Sequence, residues 1–145
     1  MSENPIPGVT IRLLGPGDAA VLDKVLPDVF DYDVQPQLAR QFLDDPRHHI
    51  AVALADGMVV GMATAVNYIH PDKTDQLWIN EVGVDPSFQN RGIGKALLRA
   101  LFEEGKRRGY TEAWVGTEQD NAAARKMYRG VGGREQTMIY CEFDL

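Results

Sequence analysis

The stretch Leu77-Trp78-Ile79-Asn80-Glu81-Val82-Gly83-Val84-Asp85-Pro86, and the run Gln89-Asn90-Arg91-Gly92-Ile93-Gly94-Lys95 just after it, decide the fold of this chain. Gln76 to Val84 is mostly apolar and β-leaning, and Asp85-Pro86 stops it. From Lys95 to about Gly105 the pattern turns helical, with Ala96, Leu97, Ala100 and Leu101 on one face. A strand feeding a glycine-punctuated turn into a helix start aims several backbone N–H groups at one point. The positive end of the helix dipole adds to them, so the point favours a phosphate. Arg91 and Lys95 supply cations beside it. The run reads as a pyrophosphate cradle.

Outward from this centre, Val9 to Leu14 reads as a first strand, closed by Gly15-Pro16-Gly17. Asp18 is placed to cap a helix through about Leu26, and Pro36 opens a second helix that ends before Pro46. His49 to Leu54 and Met58 to Asn67 are β-leaning, and Asp56-Gly57 between them is a hairpin signal. A loop from His70 to Asp75 leads back to the deciding strand. Beyond the cradle helix, Gly109 precedes a strand from Tyr110 to Val115. Asp120 or Asn121 caps a further helix to about Gly130, and Thr137 to Phe143 reads as a last strand. The order β-αα-βββ-αβ-αβ describes an α/β mixed sheet with helices on its faces.

With 145 residues, 44% of them apolar and 25% charged, one globular domain spanning 1–145 is expected. No apolar run is long enough to span a membrane, and Met1 to Gly8 lacks a signal-peptide core. The lone cysteine, Cys141, excludes an internal disulfide, and no spacing of His, Cys and carboxylates suggests a metal, so a cytoplasmic setting is expected. A net charge of −6 argues against nucleic acid as a partner and makes a cationic substrate the natural complement.

A P-loop reading of the cradle fails because Ala96 stands where a hydroxyl should follow Lys95, and the first glycine is absent. A dinucleotide fingerprint fails because only Gly92 and Gly94 fit, late in the chain. A helix-entry turn without a ligand is the bland alternative. Val82-Gly83-Val84-Asp85-Pro86 followed by Gln89 to Gly94 resembles the acetyl-CoA signature of the GCN5-related N-acetyltransferases (GNAT). A second block, Asn121, Ala124, Tyr128 and Gly132, matches the same family in order and spacing. The likeness is clearest from Leu77 to Gly133. One departure is Gly133, where the family usually has an aromatic; a local packing change at the base of the last strands is expected.

The resemblance implies the GNAT fold and acetyl-CoA as cosubstrate. It implies coenzyme contacts from Val82, Gly83, Val84, Gln89, Asn90, Arg91, Gly92, Ile93, Gly94, Lys95, Asn121, Ala124 and Tyr128. In the family the strand ending at Val84 splays from its neighbour, and Gly83 suits a bulge there. The resemblance also makes Tyr128 the acid that protonates the leaving thiolate. Glu81 interrupts an apolar strand, where a carboxylate needs a wet cleft or a partner, and it is the candidate base. Cys141 lacks a neighbouring histidine in sequence and is not read as a nucleophile. His48 and His49 read as strand-entry residues, and His70 as a weak substrate contact.

Asp28, Asp31, Tyr32 and Asp33 fill the loop between the first two helices, while Glu118, Asp120, Glu142 and Asp144 sit near the end of the chain. Of these, Asp31, Tyr32, Asp33, Glu118 and Glu142, together with Glu81, are the candidate acceptor-binding residues. The loop Phe30 to Asp33, Ile79 to Val84, Glu118 and the run Tyr140 to Asp144 resemble the aminoglycoside 3-N-acetyltransferases of type I. That resemblance implies acetylation of a polycationic drug. A polyamine or a peptide amine is the alternative acceptor, and a non-catalytic acetyl-CoA sensor is the rival from another class. In the family the last strands and second helices pair across subunits, which implies a homodimer.

Overall fold

The computed structural model describes residues 5–145, so the first half of the polar stretch Met1 to Gly8 lies outside the described residues. Five strands form one sheet in the order β1-β2-β3-β4-β5. β1 (Thr10–Leu14), β2 (His48–Ala55), β3 (Met58–His70) and β4 (Lys73–Val84) are successively antiparallel, and β5 (Ala113–Trp114) runs parallel to β4. Helix α1 (Pro36–Asp44) covers one face, and α2 (Ile93–Arg107) covers the other. Helix α3 (Ala122–Gly130) packs beside α2. This is the expected mixed α/β architecture.

The hairpin forms as read, because Asp56 and Gly57 both adopt the positive φ (49° and 77°) that a tight two-residue turn needs. Pro36 occupies the first turn of α1, where its missing N–H leaves no bond unmade. Asn121, not Asp120, caps α3, accepting a 3.0 Å hydrogen bond from the Ala124 amide.

Four expectations are corrected. The loop expected from His70 to Asp75 shrinks to a turn, since β3 and β4 stay paired out to His70↔Lys73. Tyr68 and Ile69 are strand formers and extend the ladder. The helix expected after Asp18 is one 3₁₀ turn, Ala19–Asp23. The Asp18 carboxylate is taken by the Gly15 amide (2.9 Å) and Arg12 (2.7 Å) instead of by helix amides. The following residues are then drawn to the sheet: Leu26 N–H donates to Val59 O (3.0 Å), and Val59 N–H donates to Lys24 O (2.8 Å).

The strand expected from Tyr110 to Val115 is reduced to two residues, because β5 meets β4 only at Leu77↔Ala113 and Trp78↔Trp114. The last strand, Thr137 to Phe143, does not form. Met138, Ile139, Tyr140 and Phe143 are all at least 70% exposed. A strand needs a ladder, and the two-residue β5 offers none. The Gly133 amide donates to Tyr128 O (2.9 Å) and the Gly132 amide to Arg129 O (3.0 Å), closing α3 with Gly132 at φ 92°. A Cβ at Gly133 would lie 2.7 Å from the Tyr128 carbonyl oxygen, so the expected packing change takes the form of a close turn of the chain over the end of α3.

Helix α2 lies tightly on the sheet. A Cβ at Gly61 would meet Ile93 Cγ2 at 3.2 Å and Leu97 Cδ1 at 3.4 Å, and Gly61 pairs with Val84. The start of α2 is therefore registered to the end of β4. Leu97 and Leu98 are fully buried beneath it. Truncating Leu97 to alanine should destabilise the fold by about 2–5 kcal/mol, read from the denaturant midpoint at unchanged slope.

Candidate active site

The strand–turn–helix read as the cradle forms where it was expected. Asp85 accepts from the Ser87 amide (3.0 Å) and shapes the turn Pro86–Phe88. Asn90 (φ 62°) and Gly92 (φ 82°) then take left-handed conformations that bend the chain into α2. No side chain caps α2, so its first-turn amides point outward with the positive helix end behind them. The helix begins at Ile93, two residues earlier than expected.

The surrounding side chains are partly committed. Gln89 Nε2 donates to Val84 O at 3.0 Å and ties the turn to the strand end. Arg91 lies 4.9 Å from the Phe88 ring centroid and donates to Ser87 O at 3.3 Å. Gly94 sits against the Met127 sulfur of α3, and the Lys95 ammonium lies 2.7 Å from where a Cβ on Gly130 would stand. Two glycines thus bring the start of α2 and the last turns of α3 together. The same approach sets Tyr128 of α3 near the cradle.

The pairing of β4 creates the rest of the site. The stacked rings of Trp78 and Trp114, 5.2 Å apart, mark the last rung shared with β5. From Ile79 to Val84 the edge of β4 has no strand partner on that side. The bulge lies at Asn80, not at Gly83 as expected. Glu81 pairs with Thr64 and Ile79 with Ala65, leaving Asn80 between them as the extra residue. Gly83 pairs regularly with Met62.

This bulge reverses the alternation. Leu77 and Ile79 face the α2 core, and after Asn80 it is Val82 and Val84 that do. Glu81 therefore turns to the opposite face, toward the loop that follows Val29. Burial and the Asp31 charge raise the Glu81 pKa above the usual carboxylate range, while a hydrogen bond from the Asp31 main chain partly offsets them. Tyr128 packs against the α2-side core and is half-buried, which pushes its phenol above its ordinary value. A phenol so placed is fully protonated at neutral pH. Base candidate and acid candidate thus approach the open β4 edge from opposite faces of the sheet.

The remaining acids scatter. Asp31, Tyr32 and Asp33 are all exposed, and of the three it is Asp31 whose main chain hydrogen-bonds Glu81 and whose charge acts on it. Glu118 lines an open cleft of about 860 Å³ on the α2 side, together with Ile79, Leu98, Tyr110 and Tyr128. Glu142 lies in the exposed C-terminal stretch. Asn121 and Ala124 are committed to the start of α3. His70 pairs with Asp72 in the β3–β4 turn, and Cys141 is exposed.

Residues 20–132 match the Acetyltransferase (GNAT) family. The chain belongs to this family. Over 126 residues this GNAT chain is 33% identical to the N-alpha-acetyltransferase RimI of Mycobacterium tuberculosis, covering 86% of this chain and 77% of that one. A stretch of 64 residues is 36% identical to the [ribosomal protein bS18]-alanine N-acetyltransferase of Escherichia coli K12, covering 44% of this chain and 43% of that protein. The match therefore spans less than half the length of that relative. Among solved structures, an aminoglycoside acetyltransferase from an uncultured soil metagenomic sample, in complex with sisomicin, superposes with a TM-score of 0.80 at 19% identity. That superposition covers 95% of this chain and 97% of the other. At that identity the likeness is one of fold.

Three participants escaped the sequence reading: Asn80 as the bulge, Val29 through its carbonyl group, and Met127 against Gly94. Asn80 was a polar residue inside an apolar run, which was a usable signal. The roles of Val29 and Met127 arise from contacts between distant segments. Glu81 should titrate above ordinary carboxylates in a ¹³C-carboxyl NMR titration. Asp31→Asn should lower that value, because it removes a neighbouring negative charge.

Proposed function

We propose that this chain is an acetyl-CoA-dependent N-acetyltransferase whose acceptor is a single protonated amine, the α-amine of a peptide or protein. The observation that carries the reading is Glu81, turned by the Asn80 bulge to the α1 face beside the open stretch of β4, with the Asp31 main chain hydrogen-bonded to it and the Asp31 charge nearby. Two acids at one point attract an ammonium, and the raised affinity of Glu81 for a proton suits it to take one from that ammonium.

The cradle fits a pyrophosphate through the uncapped α2 amides and Lys95, and the open edge from Ile79 to Val84 offers strand-like partners to an extended pantetheine arm. The neutral amine nitrogen attacks the thioester carbonyl, forming the C–N bond as the C–S bond breaks. Glu81, having passed the ammonium proton to solvent, receives the second nitrogen proton, while Tyr128 gives its proton to the departing sulfur and regains one from solvent. By analogy with the family, amides near Val82 and Gly83 would stabilise the oxyanion. The gap beyond Trp78 lets amine and acid meet the thioester from opposite faces.

The α-amine is favoured because the relative matched over most of the chain is an N-alpha-acetyltransferase. The polycationic reading, an aminoglycoside acetylated at the 3-amino group, draws on the exposed acids Asp33, Glu118 and Glu142. Thiol release from acetyl-CoA with peptides, gentamicin, sisomicin, kanamycin and spermidine separates these readings. Turnover on peptides alone supports the α-amine, and turnover on the drugs favours the second reading. Coenzyme binding without turnover on any amine would point to a sensor.

On the active acceptor, Tyr128→Phe should lower kcat about 100-fold or more, with acetyl-CoA affinity little changed. The rate should fall as pH drops through the raised Glu81 pKa, since protonation removes the base. Glu81→Gln should abolish that limb, and an unaltered profile would eliminate Glu81 as the base.

A further inference from the structure

Gly83 sits beside Glu81 in the open strand, yet its bare Cα does not face the edge offered to the coenzyme. Its pairing with Met62 puts it on the α1 face of the sheet, the face to which the Asn80 bulge turns Glu81. A Cβ at Gly83 would collide with the carbonyl oxygen of Val29 and stand 3.2 Å from its carbonyl carbon and 3.3 Å from Met62 Cε. The obstacle is main chain, which cannot swing aside as a side chain would.

The segment arriving there is held at a second point. Val25 bridges to Val59, with hydrogen bonds on both sides of the bridge, just past the end of β4. The Val29 amide donates to Leu26 O at 3.3 Å, and the Val29 side chain is buried at 2% exposure. Phe30 packs into the α1-side core. Residues 24–30 thus cross the end of β4 pinned at Val25, Val29 and Phe30, and the next residue is Asp31, whose main chain hydrogen-bonds the Glu81 carboxylate and whose charge lies near it.

We propose that Gly83 is a positioning residue: it is the seat on which the Val29 carbonyl rests, and it holds Asp31 against Glu81 so that the pair forms the acceptor-amine site. This rests on the acetyltransferase reading for the word acceptor, whereas the seat itself is a statement about two segments of chain. A side chain at 83 lifts the loop. Glu81 then gains solvent and loses the nearby Asp31 charge, and both changes lower its affinity for a proton. The coenzyme edge keeps its backbone groups, since alanine retains them.

The test is Gly83→Ala in the full chain. The Glu81 carboxyl is followed by ¹³C NMR (assigned with Glu81→Gln), coenzyme A affinity by calorimetry, and acceptor kinetics on the active amine. The expected result is a Glu81 titration moved toward ordinary carboxylate values. Acceptor KM should rise about tenfold while coenzyme A affinity changes less than about threefold. An unchanged Glu81 titration and acceptor KM in folded Gly83→Ala would overturn the seat, as would a loss of coenzyme affinity that accounts for the whole kinetic effect. Should Gly83→Ala fail to fold, Phe30→Ala frees the same loop without touching β4 and should move both readouts in the same direction; no movement overturns the proposal. If the native chain acetylates no amine, the functional reading fails, and the carboxyl titration alone still decides whether Gly83 seats the loop.

Discussion

Strand β4 must satisfy neighbours on both edges and on both faces, and one extra residue, Asn80, reconciles those demands. Were Asn80 paired regularly, strict alternation would send Glu81 into the α2 core beside Ile79, where burial of a carboxylate is costly. With Asn80 bulged, Leu77 and Ile79 pack under α2 before the bulge, and Val82 and Val84 do so after it. Glu81 is freed to face the loop on the other side. The local twist a bulge adds accompanies the parting of β4 from β5, which share only two rungs. A reaction cleft at a strand edge follows from a departure of one residue from ideal pairing.

The phosphate side of the site depends on close packing rather than on charge alone. Gly61 lets the start of α2 settle on β3, opposite the end of β4. Gly94 and Gly130 let α3 approach that same helix start. Because these contacts leave little room, the uncapped amides of α2, the open β4 edge and Tyr128 keep fixed places relative to one another. Arg91 is held on Phe88 and Gln89 on Val84 O, so both strengthen the turn. Under the proposed reading, the attraction for an anion would come chiefly from the uncapped backbone amides and the helix end.

Much of this was legible in the residues. The hairpin at Asp56-Gly57, the proline start of α1, the Asn121 cap and the strand–turn–helix of the cradle follow from local chemistry that distant contacts did not override. Elements whose existence needs a partner were misread. Val25 is drawn from a helix into a bridge with Val59, and Thr137 to Phe143 has strand-forming residues but no ladder to join. The site divides in the same way. Glu81 and Tyr128 stood out by residue type and spacing. That Asp31 rather than Glu118 or Glu142 reaches Glu81 depends on where loops land.

By itself the sequence determined the family, the mixed sheet with its cradle, and the residue types able to carry acid, base and anion binding. Periodicity, capping and positive-φ turns act within a few residues, so they can be read along the chain. Only the tertiary structure decided which way Glu81 faces, where β4 and β5 part, and which acid becomes its neighbour. Those outcomes turn on register and on backbone-to-backbone approach between segments distant along the chain, such as the Val29 carbonyl over Gly83, more than fifty residues away.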